Sequence, residues 1–306
     1  MPRQIMVPLD GSPFSEQALA YAMDVAAGAD TRVHLARVHT EVVDIGLASF
    51  AAPLPLAWNG MLDEELRKQE QEYLRERAAP WIAAGRDVCI ANPSGPAAAG
   101  LAAYADAADI DLIVMTSHGR GGLSRAWLGS VADRLVRSTG VPVLLLRPLA
   151  HAAPTAAPAH ILVPLDGSEL SESILDHAIR IGAPVDARYT LMQVVLPPID
   201  ATAEVIAQGL VETDELRAAA ESYLDAWAAR LRARGLTVDT AVVIQANPAA
   251  GIIEEALYSE CDMIAMATHG RSGWERAVIG SVADKVLRST PVPMLTMRPA
   301  VVGAAA

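Results

Sequence analysis

One run of residues occurs twice in this chain and limits its possible folds more than any other feature. His118-Gly119-Arg120-Gly121-Gly122 leads through Arg125-Ala126 to Gly129-Ser130-Val131-Ala132-Asp133. The same frame returns as His269-Gly270-Arg271-Ser272-Gly273, Arg276-Ala277 and Gly280-Ser281-Val282-Ala283-Asp284. Extended to Thr139 and Thr290, the two runs agree at 14 of 22 positions. The spacing, 269 − 118 = 151 residues, is the size of a domain, which points to two copies of one fold rather than a stack of short repeats. Repeated cores keep apolar residues, whereas this block keeps glycines and arginines. That choice marks a loop with something held against its backbone.

Each copy reads as alternating strands and helices. In the first, the apolar run Ile5 to Leu9 meets Asp10-Gly11-Ser12-Pro13, with Ser12 placed as an N-cap and Pro13 as the first helical residue. Strands follow at Val33 to Val38, Val88 to Ile90, Leu112 to Met115 and Val141 to Leu146, and helices at about Met61 to Ala84, Ala97 to Ala107 and from Ser130. The second copy retraces this with strands at Ile161 to Leu165, Tyr189 to Val195, Val238 to Ile244, Met263 to Ala267 and Val292 to Met297. Its first helix runs to Ile181 and its long one from about Thr213 to Arg234. The expected division is residues 1–149, an alanine- and proline-rich linker at 150–159, and residues 160–300. Nearly continuous apolar strands alternating with helices predict an α/β protein. Each of its two repeated, doubly wound domains should be a five-stranded parallel sheet with helices on both faces, Rossmann-like in plan. Ligands of such sheets bind beyond the carboxyl ends of the strands, where strand order reverses. Two loops with unusual chemistry leave strands here: Asp10-Gly11-Ser12 after the first, and Thr116 to Gly129 after the fourth. They line one crevice if those strands are neighbours.

Composition narrows the partners. With 24 basic and 36 acidic residues the net charge is −12, a poor surface for nucleic acid. Backbone amides and a few arginines can nonetheless hold a small anion. The lysines are Lys68 and Lys285, neither in a Gly-x-x-x-x-Gly-Lys setting, so the lysine-bearing phosphate loop is absent. No apolar stretch is long enough to span a membrane or form a leader, which makes a cytoplasmic location the default expectation. Cys89 and Cys261 fall at non-equivalent places and read as buried spectators. Trp58, Trp81 and Trp227 read as packing residues.

The repeated loop suits a phosphate. Gly119 and Gly129 flank nine residues, and Ser130 then opens a helix whose free amides and positive dipole end favour an anion. Arg120 and Arg125 would add charge, and Arg271 and Arg276 repeat them. A plainer reading stands beside this one. Ser130-x-x-Asp133 and Ser281-x-x-Asp284 have the form of capping boxes, Asp10-Gly11 and Asp166-Gly167 are ordinary turn chemistry, and His118 and His269 suit hydrogen bonds that fix the loop.

In these residues the chain resembles the universal stress protein family in its tandem form. The marks are Val-Pro-Leu-Asp-Gly-Ser at the start of each copy, the strands Asp111-Leu112-Ile113-Val114-Met115 and Asp262-Met263-Ile264-Ala265-Met266, the His-Gly-Arg loop with Gly-Ser-Val-Ala, and the closing Val-Pro-Val-Leu or Val-Pro-Met-Leu. The resemblance implies a fold of the adenine nucleotide α-hydrolase type holding ATP, with or without Mg²⁺, between the first and fourth strands. It puts Asp10 and Asp166 near ribose or adenine and Val38 and Val194 against adenine. Around the phosphates it puts Gly119, Arg120, Gly129, Ser130 and Val131, repeated as Gly270, Arg271, Gly280, Ser281 and Val282. The full candidate set adds Pro8, Thr116, His118, Gly122 and Arg125 in one half, and Pro164, Ala267, His269, Gly273 and Arg276 in the other. No catalytic residue and no metal ligand is expected. The family's ATP pattern is Gly-x-x-Gly, nine residues, then Gly-Ser or Gly-Thr. Its first glycine is Thr116 in one copy and Ala267 in the other, which implies unequal affinity at two sites.

The leading functional expectation is a nucleotide-binding regulator without enzymatic activity, with no membrane or nucleic-acid partner. The alternatives are a slow ATPase using Asp10 or Asp166 in the same pockets and a nucleotide-free interaction module. Family members pair through their last strands, so the resemblance also implies internal pairing of the two domains, with or without a further homodimer.

Overall fold

A computed structural model of the chain describes residues 2–26, 30–41, 56–117, 128–147, 157–197, 203–268 and 279–298. The chain falls into two compact units, one holding most of residues 2–156 and the other residues 157–306. In the first, the strands are β1 (Gln4–Pro8), β2 (Arg32–Ala36), β3 (Val88–Ala91), β4 (Leu112–Thr116) and β5 (Val143–Leu146). Between them lie α1 (Pro13–Val25), α2 (Leu56–Ala83), α3 (Ala97–Ala107) and α4 (Ser130–Ser138). All pairings are parallel and the order is β3-β2-β1-β4-β5. β1 lies against β2 from Gln4↔Arg32 to Pro8↔Ala36, and against β4 through Ile5↔Leu112 and Met6↔Ile113. Strand order therefore reverses between β1 and β4, and the adjacency that the sequence left open is present.

The second unit repeats the plan with β6 (His160–Pro164), β7 (Arg188–Val195), β8 (Thr237–Ile244), β9 (Met263–Ala267) and β10 (Met294–Met297), ordered β10-β9-β6-β7-β8. Its helices are α5 (Glu169–Glu172), α6 (Leu175–Gly182), α7 (Ala203–Arg232), α8 (Pro248–Tyr258) and α9 (Ser281–Ser289). The central strands are buried along their length, as expected for a sheet covered by helices on both faces. Glu16 of α1 ties to α2 by accepting the Tyr73 hydroxyl at 2.9 Å, and in the other unit Glu172 of α5 accepts the Tyr223 hydroxyl at 2.8 Å and the Trp227 indole N–H at 3.0 Å.

Several boundaries differ from the sequence expectation, for local reasons. The last strands begin at Val143 and Met294, two residues late, because Thr139 Oγ1 and Thr290 Oγ1 accept the Val141 and Val292 amides at 3.1 and 3.2 Å and close a turn first. The helix expected to run unbroken to Ile181 is interrupted after Glu172, where the Ser173 hydroxyl bonds back to the Leu170 carbonyl at 2.6 Å and bends the chain. The long helices start earlier than periodicity implies, at Leu56 and Ala203. β2 ends at Ala36, short of Val38.

Candidate functional site

The site begins in the turn after β1. The Pro8 backbone ends the strand, and the Asp10 carboxylate folds back so that Oδ1 accepts both the Ser12 amide at 2.9 Å and the Ser12 hydroxyl at 2.6 Å. Ser12 Oγ in turn accepts the Ser15 amide at 3.2 Å, which is the expected N-cap of α1. Gly11 sits at φ 83°, a conformation costly for any residue with a Cβ. The second copy is superimposable in chemistry: Asp166 Oδ1 accepts Ser168 N at 3.0 Å, Ser168 Oγ accepts Ser171 N at 3.2 Å, and Gly167 is at φ 81°. The turn reading of Asp10 and Asp166 is thus present in full. It also fixes where each carboxylate stands, at the carboxyl edge of the strand beside the reversal.

Across the reversal, β4 ends at Thr116, which is buried, and the chain comes back to the same point at Gly129. The Gly129 amide donates to the Ser117 carbonyl at 2.7 Å, and the Gly280 amide to the Thr268 carbonyl at 2.7 Å. Each repeated loop is therefore pinched at its base. His118, Gly119, Arg120, Gly122 and Arg125, with His269, Gly270, Arg271, Gly273 and Arg276, lie between these pinches and outside the described residues. Leu128 and Ile279, just before the returning glycines, are buried.

The helices that follow are not capped as the plainer reading required. Gly129 and Gly280 are themselves the N-caps, and neither helix has a side-chain cap hydrogen bond. Ser130 and Ser281 are the first helical residues instead. Asp133 turns away to a two-pronged pair with Arg137 at 2.9 and 3.0 Å, and Asp284 does the same with Arg288. The capping box does not form, and among the described residues no side chain caps the first turn of either helix. Gly129 has φ −60° and Gly280 φ −56°, angles open to every residue, so backbone strain does not explain these two glycines.

The remaining candidates stand on neighbouring elements. Val38, just past β2, and Val194, in β7, are half-buried. Gly100 of α3 lies so near Val38 that a Cβ there would be 3.3 Å from Val38 Cγ1, and a Cβ at Gly251 of α8 would be 3.6 Å from Val194 Cγ2. Pro164 closes β6 as Pro8 closes β1, and Ala267, the counterpart of Thr116, is buried at the end of β9. The structure thus brings Pro8, Asp10, Val38, Thr116, Gly129, Ser130 and Val131 to one edge of one sheet, and Pro164, Asp166, Val194, Ala267, Gly280, Ser281 and Val282 to the same edge of the other. Sequence reading missed Arg147 and Arg298, which follow β5 and β10 at this edge. The repeated Arg-Pro pair was the signal, and burial pulls the Arg147 guanidinium below its usual range.

Sequence reading also missed His39. It is fully buried between two carboxylates, with Nδ1 2.9 Å from Glu70 Oε2 and Nε2 3.0 Å from Asp63 Oδ1. Comparing the copies would have revealed it, because the equivalent residue is Val195. The cysteines fall one each way: Cys261 is buried, with its thiol pushed up to about 12 by burial first and then by Glu255 and Asp262, whereas Cys89 is half-exposed rather than buried. Among the described residues no cluster suits a metal ion, and no helix is long and apolar enough to cross a membrane.

Two copies of a parallel, doubly wound α/β sheet, each with a helix opening on a glycine at the strand-order reversal, define a Rossmann-like class of crevice protein. A family model described as "Universal stress protein family" matches residues 1–147 and again 159–298, so the chain belongs to the universal stress protein family. It is similar over its length to universal stress protein Rv2005c of Mycobacterium tuberculosis, 28% identical over 305 residues and 96% of each chain. Among solved structures it is similar to a universal stress protein from Archaeoglobus fulgidus, with TM-score 0.66, 17% identity and 98% and 97% of the two chains covered. It is also similar to a putative universal stress protein from Pseudomonas aeruginosa, with TM-score 0.63, 20% identity and 97% and 94% covered.

Proposed function

We propose that each half of this chain binds an adenine nucleotide, ATP first among them, in the crevice between the carboxyl ends of its first and fourth strands, and that occupancy tunes a non-enzymatic role in the stress response. The observation that carries this reading is the pair Gly129 and Gly280. Both are N-caps at ordinary φ, both open a helix that lacks a side-chain cap, and both sit where strand order reverses. A phosphate accounts for all three properties together, because it needs bare amides, the positive helix end and room where a Cβ would stand. Val38 and Val194, backed by Gly100 and Gly251, offer apolar walls for a base.

The residues present fit the group. Apart from its first glycine, the family's ATP pattern is retained in both halves, and the two residues that replace that glycine, Thr116 and Ala267, lie in buried strand ends. Regulation is favoured over hydrolysis because Asp10 and Asp166, the carboxylates considered as bases, each engage Oδ1 in the turn that caps the next helix. The test is to identify small molecules released from protein purified without added nucleotide, and to follow ATP binding to the emptied protein by calorimetry. Adenine nucleotide in the released fraction, or heat saturating with ATP, supports the reading. The absence of both signals refutes it.

A further inference from the structure

The carboxyl edge of each sheet carries an arginine to which nothing above gives a role. Arg147 follows β5 and Arg298 follows β10, and their separation, 298 − 147 = 151, is that of the repeated loops. Both residues are partly buried. In a chain of net charge −12, a guanidinium kept at the same place in both copies and partly withdrawn from water is a cation whose field solvent screens less than that of a surface arginine.

Register decides which side of the sheet each arginine takes. Successive residues of a strand alternate between faces, and residues paired across parallel strands share one. His34 of β2 meets the Tyr104 hydroxyl of α3 at 2.7 Å, and Val38, two alternations further on, lies against Gly100 of the same helix, which marks this as the α3 face. The pairs Met6↔His34, Met6↔Ile113 and Ile113↔Val143 carry that face across β1 and β4 to β5. Counting by twos from Ile113 and Val143 reaches Ser117 and Arg147. The helix that packs beside α3 is α4. The second unit does the same. Val194 lies against Gly251 of α8, the pairs Leu162↔Thr190, Leu162↔Ile264 and Met294↔Ile264 lead by twos to Thr268 and Arg298, and α9 packs beside α8.

Backbone bonds then bring each arginine beside the glycine that opens a helix. The Ser117 amide donates to the Leu146 carbonyl at 2.7 Å, while the Ser117 carbonyl accepts the Gly129 amide at 2.7 Å. In the other copy the Thr268 amide donates to the Met297 carbonyl at 2.9 Å and the Thr268 carbonyl accepts the Gly280 amide at 2.7 Å. Arg147 therefore stands one strand spacing, about 4.8 Å, from the residue that pins the N-cap of α4, and on the same face. An arginine stem spans that gap.

Strand order gives the crevice a direction. Along the edge stand Val38 after β2, Asp10 after β1, Gly129 beside the end of β4, and Arg147 after β5. From β2 to β5 is three strand spacings, about 14 Å. A base against Val38 sends its phosphates towards β4, and each further phosphate carries the ligand closer to β5. We infer that Arg147 and Arg298 take the outermost phosphate of a nucleoside triphosphate, so that each crevice selects ATP over AMP by the length of the phosphate chain. This role rests on the proposed nucleotide site. It gives the edge a division of labour: bare amides at the helix start hold the inner phosphates, and a planar, two-pronged cation holds the last.

Calorimetric titration of the emptied full-length protein with ATP and with AMP tests this. The parent should bind ATP at least about tenfold more tightly than AMP, as one charge-assisted contact more would give. The paired substitution Arg147→Gln with Arg298→Gln should weaken ATP by about tenfold or more and leave AMP within about twofold, whereas Arg147→Lys with Arg298→Lys, which keeps the charge, should retain more of the preference for ATP. An arginine that merely holds the end of its strand would cost ATP and AMP alike. A parent without preference for ATP, an equal loss of both ligands in the Gln pair, an unchanged ratio there, or a Lys pair no better than the Gln pair would overturn the inference and leave the nucleotide site standing. A parent that binds neither ligand removes the nucleotide reading, and the role of the arginines with it.

Discussion

Gly129 and Gly11 are glycines for different reasons, and substitution should separate them. At φ −60° the first tolerates any backbone, so Gly129→Val and Gly280→Val should leave stability within about 1 kcal/mol of the parent, the usual range for changing a helix cap, while abolishing nucleotide binding in the half that carries the change. Unchanged affinity in the double variant, with a normal unfolding curve, would mean that the phosphate lies elsewhere. Gly11, at φ 83°, is held by its turn, so Gly11→Ala should destabilise by about 1–2 kcal/mol in denaturant titrations, and Gly167→Ala, at φ 81°, by a similar amount. A neutral effect would show that the turn after β1 relaxes without cost. Cys89 and Cys261 differ as well: in the native protein a thiol reagent should label half-exposed Cys89 well before Cys261, whose thiol is buried and pushed up to about 12.

Strand β2 carries an acid-sensitive group at its middle, His34. His34 lies between Tyr104 Oη and Gln4 Oε1, each 2.7 Å away, and burial, then Arg32, lower its affinity for a proton. Unfolded, His34 takes up its proton near its ordinary value of 6.5; folded, it does so only at lower pH. Below 6.5 the unfolded chain therefore binds more protons, and His34 removes stability as pH falls through that value towards the folded one. His160 of β6 is shifted the same way, by burial and then Arg188. Between about pH 7 and about pH 5 the parent should lose more stability than His34→Gln does, read as the difference in denaturation midpoints. Equal losses would contradict the assignment. The elements themselves were legible where a turn, a proline or an apolar run marked them: Ser12-Pro13 opened α1 as expected, and Ala97–Ala107 matched throughout. They were illegible where side chains distant in sequence decide. Pro55 before Leu56, and Thr202 with Glu204 around Ala203, are residue types that open helices, but the apolar period that becomes regular only further on set the expected starts too late. His39 reads as one polar residue after an apolar run until the fold brings Asp63 and Glu70 to it.

For the whole molecule, duplication is the informative fact. A single copy of the loop supports a phosphate cradle and a pair of capped turns about equally, and the structure speaks against the serine capping box by showing Gly129 and Gly280 in the cap position and Asp133 and Asp284 turned to arginines. The arginines and histidines of the loop lie outside the described residues, so the sequence remains the argument for their part in binding. The copies are also unequal, through Thr116 against Ala267 and His39 against Val195, and this predicts two nucleotide sites of different affinity rather than one averaged class. Native mass spectrometry of the emptied protein titrated with ATP measures this most directly. The expected result is stepwise growth of one-nucleotide and then two-nucleotide species, with Gly129→Val and Gly280→Val each stopping at one. A protein that stays free of nucleotide at saturating ATP would contradict the assignment of both crevices.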